Sequence, residues 1–283
     1  MPRKEESFVP FYKLPDDIAA IRDILKTNLW LKLSWFSRRM SEFKIYMEDG
    51  FEYIDTNQVA ATQNIIFGIP AAPPSVSSVS CYYAQRNLPA TWWLPSDIGT
   101  PASWWLTENG WAIENIVIGL ALHQPADLQP ENWSAPEELT IVPCSTLEHV
   151  KDLGLILESG FMPDNAREGN LIFNACLQSG AGILNGEGGW RSLIAYANGA
   201  PAACLNMLHN DGAVGFYDIT AHAAHKGKGY ERAVFFQALR AALDSGAGLI
   251  TLQAAEDDIK FYLSMGFCAV TQFILWNNNN CAS

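Results

Sequence analysis

A chain of 283 residues has room for one large domain or two medium ones, and 49% hydrophobic with 17% charged residues is a composition that folds around a core. The net charge of -12 excludes a general nucleic-acid binder, which needs a basic surface, and suits a small cationic partner. The six cysteines form no CxxC pair or metal-ligand spacing, and no apolar run reaches membrane-spanning length, so the chain reads as a cytoplasmic protein with reduced thiols, no metal and no membrane contact.

In chain order, "MPRKEES" is expected to fray. Asp16–Asn28 and Trp35–Met47 have the apolar spacing of helices. "NIIFGI" reads as a strand, "VSSVSCYYAQRN" as a helix, "ATWWLP" as a strand, "ASWWLTENGW" as a helix and "IENIVIGLAL" as a strand. The tryptophan pairs at 92–93 and 104–105 are expected to pack. His123 to Glu138, "HQPADLQPENWSAPEE", carries three prolines and reads as a linker.

Beyond it, "LTIVP" is a strand and "LEHVKDLGLILESG" a helix, with Leu147, Val150, Leu153 and Leu157 on one face and a stop at Gly160. "GNLIFNACLQSG" is a second helix. Asn198-Gly199 supplies the positive φ angles of a tight hairpin turn between two apolar segments. "AVGFYDIT" is a strand; after it come a short basic loop and a helix through Val234, Ala238, Leu239 and Ala242. "LITLQA" is a strand, Ile259 to Leu263 a short helix closed by Gly266, and "CAVTQFILW" a final strand. This order predicts an α/β (α+β) fold, a mixed sheet flanked by helices.

The basic loop is "HKGKG", His225 to Gly229. Between a strand and a helix N-terminus it is suited to an anion, because the first amides of a helix lack internal partners and the helix dipole favours negative charge there. Gly227 and Gly229 let the backbone come close to a phosphate, and Lys226 and Lys228 add charge. GxG by itself also describes a solvated turn. Neither a P-loop nor the dinucleotide fingerprint is present, since Glu231 and Arg232 follow Tyr230.

The stretch from Tyr217 to Phe267 resembles the core of the GCN5-related N-acetyltransferases, the GNAT superfamily. That family's [QR]-x-x-G-x-[GA] loop, which binds the pyrophosphate of acetyl-CoA, falls on Ala224 to Gly229, with Ala224 in place of Gln or Arg and Glu231 in place of a small residue. "YLSMGF", Tyr262 to Phe267, resembles the segment near the cofactor's thiol end, and "LQAAEDD" the junction before it. The resemblance implies the acyl-CoA N-acyltransferase fold, with a mostly antiparallel sheet.

It also implies a function: transfer of the acetyl group of acetyl-CoA to a primary amine of a small molecule or protein, by direct attack. The backbone of Ile219, Thr220 and Ala221 is implied to hold the pantetheine arm. His225, Lys226, Gly227, Lys228, Gly229 and Tyr230 are implied to hold the pyrophosphate, with Asp258 and Tyr262 near the thioester. An alkylammonium, with a pKa of about 10.4, must lose a proton before it attacks. Asp218, His209 and, less strongly, Glu187 are the candidate bases, each equally readable as structural. Tyr262 is the expected proton donor to the departing thiolate. The other reading is an acetyl-CoA-binding sensor or interaction module whose catalysis has decayed.

The first half repeats the order of the second, with "LTENGW" standing where "LSMGF" does. Two tandem copies are therefore expected: a divergent domain at 1–123, a linker at 124–137, an acetyltransferase domain at 138–276 and a disordered tail at 277–283. The first copy has Pro70, Pro73 and Pro74 where a phosphate loop belongs, and Leu106 in place of Tyr262. It is expected to bind no acetyl-CoA and to serve as an acceptor wall or partner surface, in a monomer or homodimer.

Overall fold

The computed structural model describes residues 17–96, 101–123 and 135–278. The first half contributes α1 (Ile18–Leu33), β1 (Lys44–Glu48), β2 (Phe51–Asp55), β3 (Ile65–Gly68), α2 (Pro73–Gln85), β4 (Thr91–Pro95), α3 (Ala102–Glu108) and β5 (Ala112–His123). The second contributes β6 (Leu139–Pro143), α4 (Leu147–Phe161), α5 (Ala166–Gln178), α6 (Gly180–Asn185), β7 (Trp190–Ala197), β8 (Ala200–Asn210), β9 (Ala213–Ala221), α7 (Tyr230–Asp244), β10 (Leu249–Ala254), α8 (Ile259–Ser264) and β11 (Cys268–Asn277).

All eleven strands form one sheet in the order β1-β2-β3-β4-β11-β5-β10-β9-β8-β7-β6. The parallel pairs are β3 with β4 and β9 with β10; the rest are antiparallel. Each parallel pair is joined by a crossover helix, α2 or α7, as parallel neighbours require. The series strand, helix, strand, helix, strand thus occurs twice, as β3-α2-β4-α3-β5 and as β9-α7-β10-α8-β11.

The halves interdigitate. β11 lies between β4 and β5, and β5 between β11 and β10, so each half's last strand is clasped by strands of the other. The residues expected to form separate units at 1–123 and 138–276 therefore share a sheet, and they share a core as well. Ile21, Leu25 and Leu29 of α1 pack with Val150, Leu153, Trp190 and Phe273 on one face. On the other face, Val234, Phe235, Ala238, Leu239 and Ala242 of α7 recur at helical spacing against Leu205, Val214 and Phe216. The first half adds an aromatic cluster of Phe51, Tyr53, Tyr83, Trp92, Trp111 and Trp276.

The hairpin at Asn198-Gly199 forms as expected, with φ of 50° and 82°. The helix expected over Trp35–Met47 does not form. Ser34 caps α1, and Trp35 and Phe36 turn inward onto Trp190, with ring centroids 4.4 and 5.7 Å away. The following residues enter β1, which turns at Asp49-Gly50 into β2, with Gly50 at φ 91°. The tail expected to fray from 277 is paired at its start: Asn277 ends β11, and the buried Asn278 accepts the Ala90 amide at 2.7 Å. Residues 1–16, 279–283 and most of the expected linker lie outside the described residues. Among those described, no helix is long and apolar enough to cross a membrane.

Candidate active site

β9 and β10 pair only as far as Phe216 and Leu252. Past that point β10 stays with β5 through Gln253 and Ala254, while β9 stays with β8 to Ala221. Two parallel strands that separate leave backbone groups facing an opening, here a cleft of about 620 Å³. A bulge contributes to the divergence. Asn206 faces Tyr217 and Cys204 faces Thr220, so β9 carries one extra residue at Asp218–Ile219. Asp218 sits at φ 53°, in the left-handed region that an Asp tolerates better than most residues.

The bulge aims the Asp218 side chain into the cleft, and a chain of hydrogen bonds fixes it. Trp190 Nε1 donates to Ser192 Oγ at 2.9 Å, and Ser192 Oγ donates to Asn206 Oδ1 at 2.5 Å. Asn206 Nδ2 donates to Asp218 Oδ2 at 2.8 Å, and Lys32 Nζ donates to Oδ1 at 2.6 Å. Because its carbonyl already accepts from Ser192, Asn206 turns its amide nitrogen toward Asp218.

After β9 the chain makes a short 3-10 turn at Ala223–His225, anchored where the Ala223 amide donates to Ser159 Oγ at 2.7 Å. Gly227 and Gly229 follow at φ 79° and 78°, with open space where a Cβ would stand. The amides of Ala224, His225, Lys226 and Lys228 are taken up within the turn. Those of Gly227, Gly229, Tyr230 and Glu231 have no acceptor among the described residues, and no side chain caps α7. Four free donors at a helix start, beside exposed Lys226 and Lys228, form a cradle whose geometry and charge suit an anion. Lys228 Nζ lies 3.2 Å from His225 Nδ1, and burial followed by the Lys228 charge lowers the His225 pKa. Tyr230 is buried and donates its hydroxyl to Glu138, so it offers the cradle its backbone and not its ring.

On the far side of the cleft, Tyr262 of α8 packs among Phe235, Phe261 and Phe267. Burial, then the Asp258 charge, pushes its phenol up to about 12. Asp218, Ile219, Asp258 and Tyr262 all line the cleft.

No protein-family model matches the chain, and none of the curated proteins matches it. Solved structures do. A GCN5-related N-acetyltransferase from Kribbella flavida superposes with a TM-score of 0.62 at 14% identity, covering 90% of this chain and 95% of that one. A tandem GNAT protein from the clavulanic acid biosynthesis pathway gives 0.55 at 11% identity, covering 91% and 95%. A GCN5-related N-acetyltransferase from Sphaerobacter thermophilus gives 0.55 at 12% identity, covering 81% and 76%. The chain adopts the tandem GNAT fold.

Within that GNAT framework the remaining candidates fall apart. His209 pairs with Val214 near the β8–β9 turn, three residues along β8 from Asn206, or about 10 Å at strand spacing. Burial, then Arg191, lowers its pKa, but it does not line the cleft. Glu187 binds Arg39 at 3.2 Å, also away from the cleft. Thr220 and Ala221 continue β9 beyond the residues that line the cleft, with α4 so close that a Cβ on Gly160 would stand 2.5 Å from Thr220 Oγ1.

Lys32 was missed from sequence. Its signal was a lysine in line with the buried stripe Leu25 and Leu29 of a helix, a place where an unpaired charge is costly.

In the first strand-helix repeat, β3-α2-β4-α3-β5, the end of β3 has no such opening beside β4. The amides of Ile69 and Ala71 donate to Gly50 O at 2.8 Å and Asp49 O at 3.2 Å. Trp92 Nε1 donates to Gly68 O at 3.0 Å, and Leu106 is fully buried.

Proposed function

We propose that this chain is an N-acetyltransferase that moves the acetyl group of acetyl-CoA to a primary amine by direct attack. The observation that carries the reading is the wedge between β9 and β10, ending in a loop with four free amides and two glycines at positive φ. In this reading Gly227, Gly229, Tyr230 and Glu231 give their amides to the pyrophosphate. Lys226, Lys228 and His225 flank it, and the backbone of Ile219, Thr220 and Ala221, on the edge of β9 that β10 has left, binds the pantetheine arm. Asp258 and Tyr262 stand at the thioester end.

The amine nitrogen attacks the thioester carbon, a C–N bond forms, and the C–S bond breaks. The attacking amine must be neutral, and of the carboxylates lining the cleft Asp218, fixed by Lys32 and Asn206, is the one we assign to accept its N–H. The developing oxyanion can be met by a backbone amide of the splayed strand. We assign Tyr262 a hydrogen-bonding role: burial pushes its phenol up to about 12, above a thiol at about 8.5, so it holds its proton more tightly than a thiol does. It instead donates a hydrogen bond to the sulfur as charge develops, while the proton comes from the acylated nitrogen.

The first half supplies walls and no second cofactor site. The protein would act in the cytoplasm, consistent with its unpaired described cysteines. The deciding experiment is thiol release from acetyl-CoA with a panel of amines. Release that depends on the amine supports transfer; acetyl-CoA binding without release would mark a sensor or interaction module, a reading favoured by Glu231 in the cradle's first helical turn.

A further inference from the structure

Behind the Lys32–Asp218 pair, a second and smaller chamber of about 160 Å³ opens off the cleft. Both residues line both spaces, so the ion pair stands at the junction. The chamber's apolar walls come from Phe36, Phe43 and Ile65 of the first half and from Leu157, Phe161 and Ile172 of the second. One wall is the loop after β2, which is rigid for a specific reason. Buried Asn64 accepts the Thr56 amide at 3.1 Å and its hydroxyl at 2.8 Å, and donates to the carbonyls of Gln58 and Pro89 at 2.8 Å each. Thr56, Thr62 and Gln63 on that loop face the chamber and limit its size.

We infer that the chamber is the acceptor side-chain pocket, and that the acceptor is a small monoamine carrying one aryl ring or a branched alkyl group of five or six carbons. The inference rests on the acetyl-transfer reading and adds the substrate class. An apolar cavity of about 150 Å³ is the size that holds a benzene ring. Lys32 and Asp218 are the charged residues that line the chamber, and they already neutralise each other. A second charge on the acceptor, as in a diamine or an amino sugar, would be buried there without a partner. The amine head stays at the junction, where Asp218 still has lone pairs for its N–H.

The test measures kcat/KM for ethylamine, 3-methylbutylamine, 2-phenylethylamine, tryptamine and putrescine, with acetyl-CoA binding measured in parallel. Each buried methylene contributes about fourfold, so 3-methylbutylamine and 2-phenylethylamine are expected to exceed ethylamine at least tenfold. Tryptamine and putrescine should fall below both. Ala175 also lines the chamber, so Ala175→Leu narrows it and should lower the ratio of 2-phenylethylamine to ethylamine about tenfold. If that variant does not fold, Phe161→Ala, at a position 45% exposed, should raise tryptamine relative to 2-phenylethylamine. Turnover with a flat profile, or one led by putrescine or tryptamine, overturns the pocket assignment and leaves acetyl transfer standing. Acetyl-CoA binding with no amine acetylated overturns both.

Discussion

Lys32 and Asp218 lie 186 positions apart in sequence, yet Lys32 Nζ stands 2.6 Å from Asp218 Oδ1 where the cleft meets the smaller chamber. Their side chains are 19% and 14% exposed, so the pair falls between an exposed ion pair, worth under about 1 kcal/mol, and a buried one, whose rupture costs about 3–5 kcal/mol. Lys32→Met should therefore cost about 1–3 kcal/mol, read by urea denaturation. Its second effect separates a chemical role from a structural one. A positive charge near the bound amine lowers that amine's pKa and enriches the neutral nucleophile. Without Lys32, the rising limb of kcat against pH should move to higher pH. An unmoved limb assigns Lys32 to structure alone.

Asp218→Asn keeps a residue that tolerates φ 53° and can still accept from Asn206, but it removes the charge. A loss of kcat/KM of tenfold or more, with acetyl-CoA affinity unchanged by calorimetry, is the expected outcome. Asp218→Ala should be worse in one further respect: the left-handed conformation adds roughly 1–2 kcal/mol of instability. Equal stability of the two variants would show that the bulge does not need this side chain.

For the cradle, Gly227→Val is the informative change. A Cβ there meets nothing within 4 Å, so the free protein should still fold, but φ 79° is closed to a β-branched residue and the loop must turn its amides away. Acetyl-CoA at a hundredfold excess over Kd should stabilise the parent by about 2.7 kcal/mol and the variant hardly at all. A melting shift retained in full would move the cofactor elsewhere.

Tyr262→Phe keeps the ring in its aromatic cluster and removes the hydroxyl. A hydrogen bond to a charged group contributes about 1.5–3 kcal/mol, so kcat should fall about 10- to 150-fold with little change in acetyl-CoA affinity. The folded-state pKa is raised from 10.0 to about 12, so the neutral phenol persists to high pH. No alkaline loss of activity should trace to Tyr262 below about pH 11. The same shift favours folding fully below pH 10, and that contribution disappears as pH rises to about 12. A threefold or smaller change in kcat would remove Tyr262 from the chemistry.

Where structure follows from neighbours in sequence, it was legible. The glycine loop before α7 lies within Ala224–Glu231, the hairpin turn within Asn198-Gly199, and α4 and α7 within their own apolar stripes. Trp35–Met47 misled because its apolar residues match helical spacing, although Trp35 and Phe36 bury themselves against Trp190, far along the chain. Asp49-Gly50 carried the hairpin signal that decides that region. Partners across the sheet leave no local trace. Nothing in the periodicity of "CAVTQFILW" says that β11 enters between β4 and β5, or that Lys32 will meet a bulge on β9. His209 lies off the cleft for a related reason: its residue type suited the chemistry, but its distance along β8 from the bulge depends on the β8–β9 register.

One acetyl-CoA should bind per chain. In the second copy, four amides around two glycines remain free; in the first, Ile69 and Ala71 have given theirs to the β1–β2 turn, and Pro70, Pro73 and Pro74 have none. Trp92 and Gly68 are joined by a hydrogen bond across the corresponding opening, and Leu106 offers no donor where Tyr262 stands. A neutral loop also lacks the charge-assisted bonds that make phosphate contacts strong. Titration calorimetry on the full chain should give a stoichiometry of one, and Gly227→Val should leave no tight site. Two sites in the parent, or a tight one surviving in the variant, would mean that the first copy opens on binding and that its Gly50 and Gly68 contacts are a latch instead of a permanent closure.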